Sequence, residues 1–515
     1  MRKNLLLLFL CTLLIVQQLK AQINTPPILL NEQKRWVDSV FASLTPDERI
    51  AQLIMVAAVS DVKRAVIDPK TSNPAYVEKL IRENKVGGVV FFQGGPVPQA
   101  RLTNHFQSVS KVPLLIAMDA EFGLAMRIDS TVRYPYQMTL GAIQGHNELI
   151  YEMGAQLARQ ARRLGVHINF APVADVNNNP NNPVISFRSF GENKYKVADK
   201  AIAYMRGMQE NGLLTSAKHF PGHGDTGTDS HFDLPLIAHD VNRLDSLELY
   251  PFRALISNGL SGMMIAHLSI PALDKTSNLP STLSKPIVSD LLRKKLGFTG
   301  LIYSDAMNMK GVTKFFPNGK ADAMGLEAGM DILEFTEDIV KTIAEIKKSI
   351  AAGRITQAEI DLRCRKVLEA KAWVGLNHYQ PVKLENLYED LNPKAAELTN
   401  RLLTEKALTV LKNEQDLLPL KNLDTLKIAS VSIGADTITT FQQTLSLYTH
   451  IDHFSIPSKP TESQLNALKN KLDAYNLLLI GVHLGSISPK SSYGLTEPMN
   501  NLLYDLMKAK RSVVS

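Results

Sequence analysis

Between about residues 50 and 340 one theme recurs eight times. A short apolar run ends in polar residues, and a stretch of helix length with apolar residues at helical spacing follows. The runs are 53–58, 87–92, 113–118, 168–173, 213–217, 262–266, 300–303 and 330–335. Stretches such as 147–164, 194–211 and 244–258 lie between them. Strands that alternate with helices pair in parallel, and eight such units are expected to close into a (β/α)8 barrel of TIM type. An open doubly wound sheet is the competing reading, which the number of units disfavours.

A barrel of this kind carries its active site at the C-terminal ends of its strands. The first ionisable residues after the apolar runs are Asp119, Asp175, Lys218 with His219, His267 and Asp305. Residues chosen only to fill a core would not be ionisable, so their recurrence at one level marks a site.

The rest of the chain bounds the function. Of 515 residues 45% are apolar, enough for two or three cores. The net charge is +7, of which Arg2, Lys3 and Lys20 belong to a leader, and no basic stripe is interleaved with aromatics. A nucleic-acid partner is therefore not expected. Residues 1–21 have a basic start, an apolar core from Leu5 to Val16 and a small residue, Ala21, at the exit. That pattern reads as a cleaved signal peptide, so the protein is expected to be exported to the periplasm or the exterior with no membrane span after cleavage. Cleavage leaves Cys364 alone, which excludes an internal disulfide and a cysteine-based zinc site. The barrel is expected over 22–375 and a linker over 376–400. A second α/β, sandwich-like domain is expected over 401–515, with strands at 427–433 and 476–482 around a helix at 462–474. The chain stops inside what reads as another strand, so this domain is expected to be incomplete.

The densest chemistry lies at 218–231, Lys-His-Phe-Pro-Gly-His-Gly-Asp-Thr-Gly-Thr-Asp-Ser-His. His219 and His223 have the spacing of helical zinc ligands, but Pro221 and Gly222 between them forbid the helix, so no metal is expected. Gly222, Gly224 and Gly227 could expose N–H groups to a phosphate, yet no Lys-Ser/Thr or dinucleotide fingerprint follows, and no cofactor is expected. They read instead as hinges. Asp229 and His231 are two apart, so the carboxylate can orient the imidazole as a general acid. Asp305, at the end of a strand, can serve as a nucleophile.

The same residues carry a resemblance. Lys218 to Thr226 followed by Asp229-Ser230-His231 resembles the signature of glycoside hydrolase family 3, and looks most like its β-N-acetylglucosaminidase branch. Asn169 to Asp175, Arg188-Ser189-Phe190-Gly191, Met264 to His267, Pro271 to Asp274, Pro280 to Ser284, Leu296 to Gly300 and Ser304-Asp305 fit the same family over about 45–375 and beyond. The resemblance implies a secreted retaining β-N-acetylhexosaminidase acting on aminosugar oligosaccharides such as peptidoglycan or chitin fragments. Asp305 would be its nucleophile, and Asp229 with His231 its acid/base dyad. Asp119, Arg127, Arg188, Lys218 and His219 would bind the sugar, while His267 and Asp175 would orient other groups. Where relatives often carry Asp-Gln-Glu-Gly-Gly-Arg, this chain has Asp119-Ala120-Glu121-Phe122-Gly123, with Arg127 four further on. Alternative readings are a β-glucosidase of the same family, a β-N-acetylglucosaminide phosphorylase, and a non-enzymatic carbohydrate-binding barrel. The last would require loss of Asp305 or of the dyad, and both are present.

Overall fold

The computed structural model describes residues 26–27, 33–64, 67–317 and 319–515; the leader 1–21 lies outside them. Two compact units divide the chain, one ending at Leu408 and one spanning Thr409–Ser515.

In the first unit β1 (Ile54–Ala58), β2 (Gly88–Phe91), β3 (Leu115–Met118), β4 (Ile168–Asn169) and β5 (Leu214–Thr215) pair in parallel, each with the next. One residue after β5 the chain resumes as β6 (Ala217–Phe220), which pairs with β7 (Gly262–Ile265), and β7 pairs with β8 (Leu301–Ser304). Finally β9 (Leu333–Glu334) pairs with β1, while Ile332 beside it bridges to Tyr303 of β8. With β5 and β6 forming one interrupted strand, the eight apolar runs of the sequence become the eight staves of a closed parallel barrel. The strand residues of β2, β3, β7 and β8 are all buried, as expected where helices cover a parallel sheet.

The helices begin where local chemistry starts them. Thr45 with Glu48 and Thr356 with Glu359 form capping boxes at the helices Pro46–Ala51 and Gln357–Trp373. Helix Asn147–Arg163 buries Ile150, Met153, Leu157 and Ala161 on one face and ends with two arginines that complement its dipole. One apolar core, from Val37 to Ala407, joins barrel and helices.

The segment 376–400, expected as a linker, belongs to this unit. It contains the helix Leu387–Leu391 and runs into the helix Lys394–Ala407. Arg163 Nε lies 2.7 Å from Asp390 Oδ2, Gln160 Nε2 donates to the Leu391 carbonyl, and Asn400 Nδ2 donates to the Arg133 carbonyl. Buried Leu387, Leu391 and Leu403 explain why the segment packs rather than hangs free.

The second unit is a four-stranded parallel sheet in the order β11 (Asp452–Ile456), β10 (Ile428–Ile433), β12 (Leu477–Val482) and β13 (Ser512–Val514). Val431, Ile433, Leu478, Ile480, Met499 and Leu502 form part of its core. Among the described residues no helix is long and apolar enough to cross a membrane.

Candidate active site

Lys218 and His219 lie on β6 itself, which runs three residues past the end of the apolar run, and both are buried. Buried charge needs partners. Lys218 Nζ lies 2.7 Å from Asp119 Oδ1 and 2.9 Å from Glu121 Oε1. Arg127 Nη2 holds the other oxygen of Asp119 at 2.6 Å, with its guanidinium 4.5 Å from the centre of the Phe92 ring. Arg188 forks onto Glu121, with Nη2 2.7 Å from Oε1 and Nε 3.0 Å from Oε2. Three cations and two carboxylates thus alternate along the barrel mouth.

Burial opposes the charge on both carboxyls and is overcome. Lys218 and Arg127 hold Asp119 far below the usual carboxylate range, and Arg188 and Lys218 bring Glu121 down to about 2. Burial also disfavours a charged Lys218, but Asp119 and Glu121 raise it above its ordinary value. Asp119, Glu121, Arg188 and Lys218 are therefore ionised at neutral pH. Their fixed donors and acceptors suit the hydroxyl groups of a sugar.

Asp175 orders the next stretch. Its oxygens accept the backbone N–H of His219 at 3.1 and 3.2 Å and that of His223 at 2.7 Å. Its Oδ2 also lies 2.7 Å from His219 Nδ1, which turns Nε2 of that ring toward Arg188 Nη2, 3.4 Å away. The glycines that follow are not all hinges. Gly222 has φ +133°, and a Cβ on Gly224 would stand 1.8 Å from the Val176 carbonyl oxygen, so these two are close-packed turns; Gly227 faces open space. His223 is spent within the loop, with Nδ1 2.7 Å from Thr226 Oγ1, and burial pushes it down to about 4, leaving it neutral.

Asp305 directly follows β8, where the Ala306 N–H donates to its Oδ1 at 2.8 Å. Burial would raise its pKa, but His267, His219, the Ala306 amide and His231 together hold it below the usual carboxylate range. It is therefore an ionised carboxylate at neutral pH. His267 supports this turn: Nε2 lies 3.0 Å from the Ala306 carbonyl and Nδ1 2.7 Å from Thr282 Oγ1. A carbonyl only accepts, so Nε2 carries the proton and Nδ1 accepts from the threonine, the neutral form that burial favours.

His231 Nδ1 lies 2.7 Å from Asp229 Oδ1, and the same oxygen accepts the His231 backbone N–H at 2.9 Å. The carboxylate fixes one face of the ring and leaves Nε2 unused by it. The imidazole is 63% exposed, on a loop beyond the barrel rim.

The structure thus joins Asp119, Arg127, Arg188, Lys218 and His219 in one network, and places Asp305 within electrostatic reach of His219 and His231. Two residues of the mouth are absent from the sequence-based set. Glu121 was readable as the second carboxylate of an Asp-x-Glu run. Glu334 lies next to last in the final apolar run, 330–335, and carries no motif. Among the described residues, Asp225, His239 and Glu248 bring potential ligand atoms within 4.8 Å of one another. Arg243 already supplies a cation there, with Nη2 3.1 Å from Glu248 Oε1 and 3.8 Å from Asp225 Oδ2.

A closed parallel barrel with an ionised carboxylate after a strand end, a carboxylate–imidazole pair and an array of fixed hydrogen-bonding charges defines a (β/α)8 protein whose mouth carries acid–base and polar-binding chemistry. The Glycosyl hydrolase family 3 N terminal domain profile matches residues 45–370. Beta-hexosaminidase A of Pseudoalteromonas piscicida is 36% identical over 284 residues, which are 51% of this chain and 48% of that relative. The Beta-N-acetylglucosaminidase/beta-glucosidase of Cellulomonas fimi is 28% identical over 393 residues, 75% of this chain and 68% of that one. The structure of a glycoside hydrolase family 3 beta-N-acetylglucosaminidase from Paenibacillus sp. str. FPU-7 superposes with a TM-score of 0.72 at 29% identity, covering 92% of this chain and 90% of that one. The match spans about half the length of the Pseudoalteromonas relative. The chain belongs to glycosyl hydrolase family 3.

Proposed function

We propose that this chain is a retaining exo-glycosidase that releases terminal β-linked N-acetylglucosamine from aminosugar oligosaccharides. The observation that carries the reading is the 2.7 Å contact between Asp229 Oδ1 and His231 Nδ1 in a barrel that keeps Asp305 ionised. A charged carboxylate serves as nucleophile, and an imidazole held by one nitrogen offers the other for proton transfer.

In the first step an Asp305 oxygen attacks the anomeric carbon. The bond to the leaving oxygen breaks, and that oxygen takes the proton from His231 Nε2. The second step reverses the roles. His231 takes a proton from water, the water oxygen bonds to the anomeric carbon, and Asp305 leaves as a carboxylate. Asp229 holds the ring and offsets the charge of the imidazolium. Asp119, Arg127, Lys218, Arg188 and His219 hold the sugar. The names of the Pseudoalteromonas and Cellulomonas relatives support an N-acetylhexosamine substrate. The leader at 1–21 supports export to the periplasm or exterior, where peptidoglycan or chitin fragments are met.

The test is a panel of aryl β-glycosides assayed with and without inorganic phosphate. The reading expects turnover of the N-acetylglucosaminide well above the glucoside, at a rate independent of phosphate. Preference for the glucoside, or a requirement for phosphate, would overturn it in favour of a glucosidase or a phosphorylase.

A further inference from the structure

Glu334 is the one acidic residue of β9, and its environment is unlike that of the other carboxylates in the barrel mouth. Successive side chains of a barrel strand face alternately in and out. Leu333 faces out: its Cδ2 lies 3.1 Å from where a Cβ on Gly325 would stand, on the surrounding helix Lys320–Ala328. Glu334 therefore faces the barrel interior, at the C-terminal end where Asp119 and Asp305 directly follow their strands. It pairs in register with Met55 of β1, and its carbonyl accepts the Met307 N–H at 2.8 Å, two residues beyond Asp305.

The backbone then turns sharply. Phe335 has φ +56°, a left-handed conformation that a bulky residue adopts only where its surroundings hold it. Its ring packs on Phe92 at 5.5 Å between centroids, the same ring that carries the Arg127 guanidinium bound to Asp119. Glu334 is thus fixed beside the Asp119–Arg127 pair from one side and the Asp305 turn from the other.

Glu334 is 2% exposed, and its buried Oε1 has no hydrogen-bond partner. A buried polar atom without a partner is costly unless a ligand supplies one. Burial, then Asp119 and Asp305, raise this carboxyl well above its usual range, against the pull of Lys218, and so favour its neutral form. A neutral carboxyl both donates and accepts, which the ionised Asp119 cannot do.

We propose that Glu334 is a further sugar-binding residue, its carboxyl pairing with a hydroxyl of the terminal sugar that Asp119 and Lys218 hold. The inference rests on the reading of the mouth as a sugar pocket. A hydroxyl is the ligand group that matches a donor–acceptor carboxyl beside a carboxylate–ammonium pair.

The experiment compares E334Q and E334L on aryl N-acetyl-β-glucosaminides, intact and lacking the 4- or the 6-hydroxyl, with thermal unfolding as a check on folding. E334Q keeps a donor and an acceptor and is expected to stay within a few-fold of the unaltered protein, with an unchanged pH profile. E334L is expected to lose on the order of 10- to 100-fold in kcat/KM on the intact substrate. On one of the two deoxy substrates that loss should largely vanish. Equal losses for E334L on all three substrates, or a folded E334L within twofold of the unaltered protein, would overturn the proposal. Should E334L not fold, an E334Q protein with a displaced acid limb would overturn it, and an unchanged limb with the same deoxy-substrate ranking would support it. If the enzyme turns over β-glucosides instead, the choice of sugar proposed above fails while the Glu334 comparison is run unchanged on glucosides.

Discussion

Asp175 Oδ2 lies 2.7 Å from His219 Nδ1, and the same carboxylate takes the backbone N–H groups of both His219 and His223. One buried side chain on the connection after β4 therefore sets the ring of His219 and the entry of the loop that carries Asp229 and His231. Burial would raise its pKa, but His219 holds it ionised below the usual range.

Removing Asp175 leaves two backbone donors and one ring nitrogen unsatisfied in a buried site. Asp175→Ala is expected to lose about 3 kcal/mol of stability, and kcat/KM by about 100-fold or more. Thermal unfolding and steady-state kinetics on an aryl glycoside check this. Asp175→Asn, which keeps one acceptor oxygen, is expected to fall between.

Glu121 gives the protein an acid limit. Its carboxyl has an ordinary value of 4.5 and is brought to about 2 in the folded chain, where burial is outweighed by Arg188 and Lys218. A depressed carboxyl contributes stability that is fully present above the unfolded value and is lost as pH falls through the folded one. Between about 4.5 and 2 the unfolded chain binds a proton that the folded chain does not, so stability should fall steeply across that window. Glu121→Gln is expected to cost about 3 kcal/mol at pH 7, because it leaves two buried cations short of a partner. It should also flatten the acid dependence between pH 4.5 and 2, measured by urea unfolding at several pH values.

The sequence carried the barrel because apolar runs and helical spacing are local signals, and each of the eight runs became a stave. What it missed was set by distant packing. The fifth run continues through Lys218 and His219 to Phe220, since carboxylates from other strand ends make buried charge tolerable there. The segment at 376–400 looked like a linker because of its prolines, yet Leu387 and Leu391 bury against the barrel helices. Gly222 and Gly224 suggested motion, but Glu248 and the Val176 carbonyl fill the space a side chain would need. Asp119, Lys218 and Asp305 were legible because polar residues at strand ends stand out against apolar runs. Glu334 was not, because nothing local distinguishes a glutamate that faces inward from one that faces solvent.

His231→Ala separates proton donation from binding. A poor leaving group needs the proton and a nitrophenolate does not, so the variant is expected to lose on the order of 1,000-fold on an oligosaccharide. On a nitrophenyl glycoside the glycosylation step should be far less affected. Asp229→Asn, which leaves the ring in place without the carboxylate charge, is expected to follow the same ranking with smaller losses. Equal losses on both substrates in pre-steady-state measurements would remove His231 from the acid role.

The central claim is that Asp305 forms a bond to the sugar. His231→Ala, given an aryl N-acetyl-β-glucosaminide with a good leaving group, should form the glycosyl-enzyme faster than water removes it, since the base for the second step is gone. Intact-protein mass spectrometry followed by peptide mapping is expected to show one added N-acetylhexosamine on the peptide containing Asp305, and none in the doubly altered His231→Ala, Asp305→Ala protein. Burst release of the aryl group with no adduct, or an adduct on another peptide, would contradict the account.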